Sequence, residues 1–292
     1  MIRSLLFVPA DSEKKLAKGF AAGADAVILD LEDSVAADRK GAARDMALAF
    51  LQAHAADPQR AHLVVRVNAL DTGLTDADLD AVVGGKPDAI MLPKAEGGPA
   101  VVHLDAKLTA REAIHGMPDG AIKIIALATE TATSLFLCGT YRDASPRLTG
   151  ITWGAEDLSA DLGAETNRDA AGRFTSPYWL ARNLSLAAAA AARVQPIDGV
   201  YADFRNLAGL REEAEEARRD GFTAKMAIHP AQVAIINEVF TPTPEAIATA
   251  RAVVAAFAAD PSAGVVAIDG VMYDRPHLTR AQRLLARLAK PD

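Results

Sequence analysis

The chain has 292 residues, of which 50% are apolar and 24% are charged, so it is long enough to bury one large core. Its formal net charge of −7, without a concentrated basic stripe, argues against nucleic acid or an anionic membrane as the main partner. The opening apolar run at residues 4–8 is too short for a signal peptide, and no run approaches the length of a membrane span. We therefore expect a cytoplasmic protein whose single cysteine, Cys138, forms no internal disulfide.

Short apolar segments alternate with helical patterns through the first 240 residues. Near-continuous apolar strands separated by helices are typical of a parallel sheet that is covered on both faces. Eight such strands predict a closed (β/α)8 TIM barrel. The predicted strands are residues 4–8, 26–30, 63–67, 89–92, 123–129, 149–153, 199–202 and 224–228, and the predicted helices lie near 13–22, 40–53, 76–83, 99–115, 132–141, 177–192 and 207–220.

A boundary is predicted near residue 241, where Pro242 and Pro244 interrupt the alternation. Residues 1–240 would form the catalytic barrel. Residues 241–292 would form a C-terminal helical extension with a helix at 245–259, a strand at 265–268 and a final helix at 278–288. Because this extension is too small to fold alone, we expect it to pack on its own barrel or on a neighbouring subunit.

Several predicted strands run directly into acidic residues. Asp30, Glu32 and Asp33 follow the second strand, whereas Glu130 and Asp157 follow the fifth and the sixth. The carboxyl ends of barrel strands meet at one face, where the active sites of such barrels lie. Clustered carboxylates repel one another unless a cation neutralises them, and a hard divalent cation is the simplest candidate.

Two functions of these acids remain open at the level of sequence. Glu130 and Asp157 could each give one oxygen to Mg²⁺, which takes few protein ligands and keeps several waters. Alternatively, they could be helix N-caps. An N-cap explains one of Asp30, Glu32 and Asp33 but not all three, so these residues are predicted to bind waters held by the metal.

Two basic residues lie at the ends of predicted strands. Arg66 lies within an apolar strand and must be paired, either with a nearby acid or, as we favour, with a substrate carboxylate. Lys94 and Glu96 follow the fourth strand and are predicted to form an ion pair at the barrel mouth. A Schiff-base function for Lys94 is conceivable, but it would not explain why so many acids follow the strands. His229-Pro230 is interpreted as a strand-to-helix turn.

Taken together, these segments resemble the citrate lyase β-subunit-like CoA-ester lyases of the HpcH/HpaI aldolase superfamily. The resemblance runs in order along nearly the whole chain. It rests on residues 3–9 (RSLLFVP), 29–35 (LDLEDSV), 65–68 (VRVN), 92–94 (LPK), 130–132 (ETA), 153–158 (WGAEDL), 225–233 (KMAIHPAQV) and 269–276 (DGVMYDRP).

The resemblance implies Mg²⁺ held by Glu130 and Asp157, with a CoA thioester entering across the barrel mouth. It implies that Arg66 contacts the α-keto acid part of the substrate and that Asp274 reaches a neighbouring subunit's active site, in a homo-oligomer that we expect to be a trimer or hexamer.

The expected activity is Mg²⁺-dependent cleavage of a 3-hydroxyacyl-CoA, such as malyl-CoA or citramalyl-CoA, to acetyl-CoA and an α-keto acid. Arg66 would stabilise the enolate, Asp274 would transfer protons, and backbone N–H groups at Gly154 and Ala155 would bind the keto-acid carboxylate, with Lys94 also binding substrate. The alternatives are a malyl-CoA thioesterase, a malate-synthase-like enzyme, or a citrate lyase β-type subunit that acts on an acyl-carrier partner.

Overall fold

The computed structural model describes residues 1–288. The chain divides into two compact units. The first spans residues 2–238, and the second begins at Val239 and includes Met1. None of the helices within the described residues is long and apolar enough to cross a membrane.

The first unit is a closed barrel of eight parallel strands in sequence order, with β1 paired to β8. This confirms the predicted (β/α)8 TIM barrel. The strands are β1 Ser4–Pro9, β2 Ala26–Asp30, β3 His62–Arg66, β4 Ala89–Leu92, β5 Lys123–Leu127, β6 Leu148–Thr152, β7 Gln195–Asp198 and β8 Ala224–Ala227. The helices are α1 Glu13–Phe20, α2 Lys40–His54, α3 Thr75–Val82, α4 Gly97–Ile114, α5 Ala132–Leu137, α6 Ala155–Asp161, α7 Ser176–Ala192, α8 Leu207–Asp220 and α9 Pro230–Phe240.

The barrel interior is filled by apolar side chains that alternate along the strands. Leu5, Ile28, Met91 and Met226 lie in this cluster and are almost completely buried. Each such side chain contributes roughly 1.5–3 kcal/mol through removal from water. The packed interior explains why the polar residues at the strand ends, rather than residues inside the barrel, form the accessible surface of the mouth.

The seventh strand was predicted at the wrong place. The prediction followed the apolar and aromatic residues at 199–202, but β7 is Gln195–Asp198. Pro196 has no N–H to donate, which makes this segment a poor strand by sequence. In the barrel its carbonyl oxygen accepts a hydrogen bond from the Thr223 amide at 3.0 Å, so the missing donor is no obstacle.

The second unit contains two helices and a hairpin. They are α10 Pro244–Ala259, the antiparallel strands β9 Val265–Ile268 and β10 Val271–Asp274, and α11 Arg275–Leu288. β10 was not predicted from the sequence, and the predicted last helix begins three residues later than α11. The two-residue Asp269-Gly270 turn has positive φ at both positions, a strong signal for a hairpin that could have revealed β10.

Candidate active site

A cavity of about 290 Å³ opens at the carboxyl ends of the barrel strands. Its apolar wall includes Phe7, Leu127, Trp153 and Met226. Its polar wall is formed by residues at or shortly after the ends of β2, β3, β5 and β6, namely Asp30, Ser34, Arg66, Glu130, Glu156 and Asp157. The barrel therefore brings six of the predicted site residues to one cavity, namely Asp30, Arg66, Glu130, Gly154, Ala155 and Asp157.

Glu130 is a buried acid whose environment opposes its charge. The carboxyl lies three residues after the end of β5, and the residue is only 4% exposed. Burial, together with the charges of Asp157 and Glu32, raises its pKa to about 8, although a hydrogen bond from the Lys94 amide to Oε2 at 2.6 Å acts in the opposite direction. A cation beside this carboxyl would favour its ionised form.

The alternative that Glu130 and Asp157 are helix N-caps is wrong. The N-cap of α5 is Thr131, which forms a capping box with Ser134. The N-cap of α6 is Gly154, and Asp157 lies in the first turn of that helix. Because neither carboxylate is needed to cap a helix, both are available to a ligand in the cavity.

Gly154 lies close to the Glu130 carboxyl. A Cβ atom built on Gly154 would lie 2.7 Å from Oε1 and 2.9 Å from Cγ of Glu130. The backbone of Gly154 is extended, with φ −132°, so glycine is required here for space and not for conformation. Any larger residue would displace the acid.

Arg66 pairs with acids at the end of β2 and in the loop that follows it. Its Nε and Nη2 atoms each lie 2.7 Å from an oxygen of Asp30, and Nη1 lies 2.6 Å from Glu32 Oε2. Burial acts to lower the pKa of Arg66, but the hydrogen bonds and charge of Asp30 raise it above its usual value. The structure thus contains the salt bridge that was one of our two interpretations of Arg66. Contact with a substrate carboxylate stays a prediction.

Lys94 contacts acids that follow two different strands, β2 and β6. Its Nζ atom lies 2.5 Å from Glu32 Oε1, 3.3 Å from Asp33 Oδ2 and 3.2 Å from Asp157 Oδ1. The predicted Lys94–Glu96 ion pair is wrong, since Glu96 instead accepts a hydrogen bond from the Thr131 hydroxyl at 3.2 Å. The physical reason is that the closed barrel brings carboxylates from other loops, those of Glu32, Asp33 and Asp157, to the Lys94 ammonium group.

Asp30, Glu32 and Asp33 each bind a cationic side chain instead of standing free. Asp30 holds Arg66, Asp33 contacts Lys94, and Glu32 contacts both. Burial raises the pKa of Glu32 even though both cations lower it. Contact between these three acids and metal-bound water stays a prediction.

The donor set fits a hard divalent cation. Asp30, Glu32, Asp33, Glu130 and Asp157 supply five carboxyl groups, whereas Arg66 and Lys94 supply two positive charges, so the acids outnumber the cationic side chains that contact them. Within residues 1–288, no group of three or more His, Cys, Asp or Glu side chains is arranged around a common metal position. A cation held by two carboxylates, with waters or substrate completing its coordination, matches the habits of Mg²⁺.

A buried ion network behind the cavity was missed by sequence analysis. Asp198, at the end of β7, accepts hydrogen bonds from Trp153 Nε1 at 2.9 Å, Arg182 Nε at 2.9 Å and Lys225 Nζ at 2.7 Å. Burial opposes the charge of Asp198, but Lys225 and Arg182 lower its pKa below its usual range. The network fixes the indole of Trp153, which lines the cavity. The apolar-then-acidic order of Ile197 and Asp198 was the signal that could have found it.

Asp274 belongs to the second unit, where it ends β10. One oxygen of its carboxylate accepts hydrogen bonds from the backbone N–H and the Nδ1 atom of His277, in the first turn of α11. This contact lowers the pKa of Asp274, so its charged form is favoured. Its predicted proton transfer stays a prediction.

A (β/α)8 barrel with polar side chains around a cavity at the carboxyl ends of its strands is the architecture of a large class of enzymes, and the comparisons identify the family. The profile described as HpcH/HpaI aldolase/citrate lyase matches residues 3–230. The chain belongs to this family, which confirms the resemblance drawn from the sequence motifs.

Individual relatives match almost the whole chain. A citrate lyase subunit beta-like protein of Mycobacterium tuberculosis is 38% identical over 282 residues, which cover 97% of this chain and 94% of that protein. A (3S)-malyl-CoA thioesterase of Cereibacter sphaeroides is 38% identical over 287 residues, covering 98% and 94%. The crystal structure of protein CitE from M. tuberculosis in complex with magnesium, acetoacetate and coenzyme A has a TM-score of 0.76 and 37% identity, and covers 99% of this chain and 98% of that one.

Proposed function

We propose that this protein is a Mg²⁺-dependent carbon–carbon lyase that cleaves a 3-hydroxyacyl-CoA to acetyl-CoA and an α-keto acid. The observation that carries the proposal is the pair formed by Glu130 and Asp157, two carboxylates that cap no helix and line the same cavity as Arg66. Support also comes from the related CitE structure, which contains magnesium, acetoacetate and coenzyme A together.

Glu130 and Asp157 would hold the cation at the cavity wall. When bound there, Mg²⁺ supplies Lewis-acid polarisation of the substrate's carboxylate and hydroxyl oxygens. The buried Glu130 must lose its proton for this, which the positive charge of the cation favours. The backbone N–H groups at the start of α6 receive no side-chain cap from Gly154, so they can donate to the keto-acid carboxylate.

In the chemical step, a base removes the proton of the C3 hydroxyl and the C2–C3 bond breaks. Its electron pair passes to C2 as the enolate of acetyl-CoA, which is then protonated, while C3 becomes the carbonyl of the keto acid. Arg66, held in place by Asp30, would stabilise the negative charge that develops on the thioester oxygen. Lys94 is not among the residues that line the cavity, so we assign substrate binding to Arg66, Gly154 and Ala155 instead.

The test is a coupled assay of the purified protein with a panel of 3-hydroxyacyl-CoA esters and Mg²⁺. Glu130→Ala and Asp157→Ala should each abolish turnover. Asp76→Ala removes a surface carboxylate that pairs with Lys107 and Arg111, and it should leave turnover unchanged. Full activity of the Glu130→Ala protein in excess chelator would exclude the proposed metal pair.

A thioesterase is the second candidate, because the malyl-CoA thioesterase relative is as similar to this chain as the citrate lyase-like one. Product analysis separates the reactions. A lyase releases a keto acid and acetyl-CoA, whereas a thioesterase, or a malate-synthase-like condensation followed by hydrolysis, releases free CoA without a keto acid. A protein that is inactive on every free CoA ester but active with an acyl-carrier protein would instead be a citrate lyase β-type subunit.

We further propose that residues 241–292 act as an extension that completes the active site of a neighbouring subunit through Asp274. The reason is that Asp274 ends β10 with its side chain 46% exposed, and one of its carboxylate oxygens receives no hydrogen bond from His277, so a partner can reach it. Mixing Asp274→Ala with Glu130→Ala protein under subunit exchange should restore part of the activity. No recovery despite demonstrated exchange would place Asp274 in its own subunit's site or outside catalysis.

A further inference from the structure

Lys94 contacts both carboxylates of the proposed metal pair through different atoms. Its backbone N–H donates to Glu130 Oε2 at 2.6 Å, and its Nζ atom lies 3.2 Å from Asp157 Oδ1. Lys94 also has a φ of 48°, which is uncommon and costly for a residue with a side chain. Such strain persists only where the surrounding structure holds it in place.

The ammonium group of Lys94 lies in the position of a counter-ion. It contacts carboxylates from two separate loops, Glu32 and Asp33 after β2 and Asp157 in α6. The side chain is only 28% exposed, so solvent screens these contacts less than those of a surface lysine. Removing its charge would increase the excess of negative charge among these carboxylates.

A divalent cation bound by Asp157 would compete with this ammonium group. If Asp157 Oδ1 coordinated the cation while it still contacted Lys94 Nζ, the cation and the ammonium group would lie close together and repel each other strongly. Glu32 and Asp33 can hold the ammonium after it leaves Asp157, since Glu32 is its shortest contact. When a cation binds, the ammonium group of Lys94 would therefore leave Asp157 and remain paired with Glu32 and Asp33.

We infer that Lys94 is a positioning residue that sets the affinity of the site for its divalent cation. Its ammonium group neutralises Asp157 in the metal-free protein and must leave that carboxylate when a cation binds. Lys94 thus weakens metal binding while its backbone N–H keeps Glu130 in place. This inference rests on the proposed metal pair and goes beyond it, because it assigns Lys94 to control of the metal instead of to substrate.

The test is Mg²⁺ binding to the full-length protein, measured by calorimetry without substrate. Lys94→Met keeps the length of the side chain and the backbone N–H but removes the charge, and we expect at least tenfold tighter binding. Lys94→Arg keeps the charge and should stay within about threefold of wild type. Lys107→Met is the matched control, because Lys107 has similar exposure and also pairs with a carboxylate, Asp76, and its affinity should be unchanged.

Glu130→Ala distinguishes failure of this inference from failure of the proposed function. If Glu130→Ala abolishes Mg²⁺ binding but Lys94→Met binds no more tightly than wild type, the assignment of Lys94 is wrong and the metal pair stands. If Mg²⁺ binding survives Glu130→Ala, both are overturned. The rise in melting temperature on adding Mg²⁺ gives an independent readout, and it should be larger for Lys94→Met than for wild type.

Discussion

Gly154→Ala tests whether the position of Glu130 controls the proposed chemistry. The added Cβ would lie 2.7 Å from Glu130 Oε1, whereas ordinary contacts begin at 3.4 Å, so the carboxyl must move by about 0.7 Å. It cannot easily do so, because Oε2 is held by the Lys94 amide and the residue is buried. A displacement near 1 Å in an active site costs on the order of 100-fold in rate, which corresponds to about 2.7 kcal/mol.

We therefore expect kcat/KM of Gly154→Ala to fall by about 100-fold, with weaker Mg²⁺ binding. The overpacking should lower the free energy of unfolding by only about 1–3 kcal/mol. Steady-state kinetics, calorimetry with Mg²⁺ and urea denaturation measure the three effects. Gly41→Ala, in α2 with nothing within 4 Å of the added Cβ, is the control and should be neutral or slightly stabilising. Activity and metal affinity within threefold of wild type in Gly154→Ala would refute the reasoning.

Three further predictions concern charged residues. The folded-state pKa of Glu130, raised to about 8, makes the metal-free protein lose stability as pH rises from about 4.5 to about 8. Glu130→Gln should flatten this loss in melting curves recorded with chelator, and an unchanged slope would contradict it. Arg66→Lys keeps the charge but loses the fork that holds Asp30, so kcat/KM should fall at least about 100-fold, and near-normal kinetics would exclude a geometric function. Asp198→Asn leaves Lys225 buried without its full counter-charge and should cost about 3–5 kcal/mol in urea denaturation, whereas a loss below about 1 kcal/mol would show that the network tolerates it.

Much of the fold was predictable because its signals are local. Seven of the eight strands were located by their apolar runs, since a strand buried on both faces must be apolar along its length. The acids at the strand ends were predicted to meet for the same reason, and Asp30, Glu130 and Asp157 line one cavity. The prediction of β7 was wrong because tertiary contacts outweigh local preference there. Pro196 lies in this strand although it has no N–H, since its carbonyl oxygen accepts the hydrogen bond from Thr223.

The partners of each charged residue were not predictable, because they depend on how the closed barrel aligns its loops. Lys94 lies only two residues from Glu96 but contacts Glu32, 62 residues away, and Asp157 on another loop. Nothing in the sequence around Gly154 indicates that a methyl group there would strike Glu130.

The sequence by itself determined the alternation of strands and helices and the acids at the strand ends, because chain-local burial and periodicity encode them. The tertiary structure alone decided which acid faces which cation and where space allows only glycine. Those contacts exist only after the strands close into a ring, since closure brings residues that are distant in sequence within hydrogen-bonding distance.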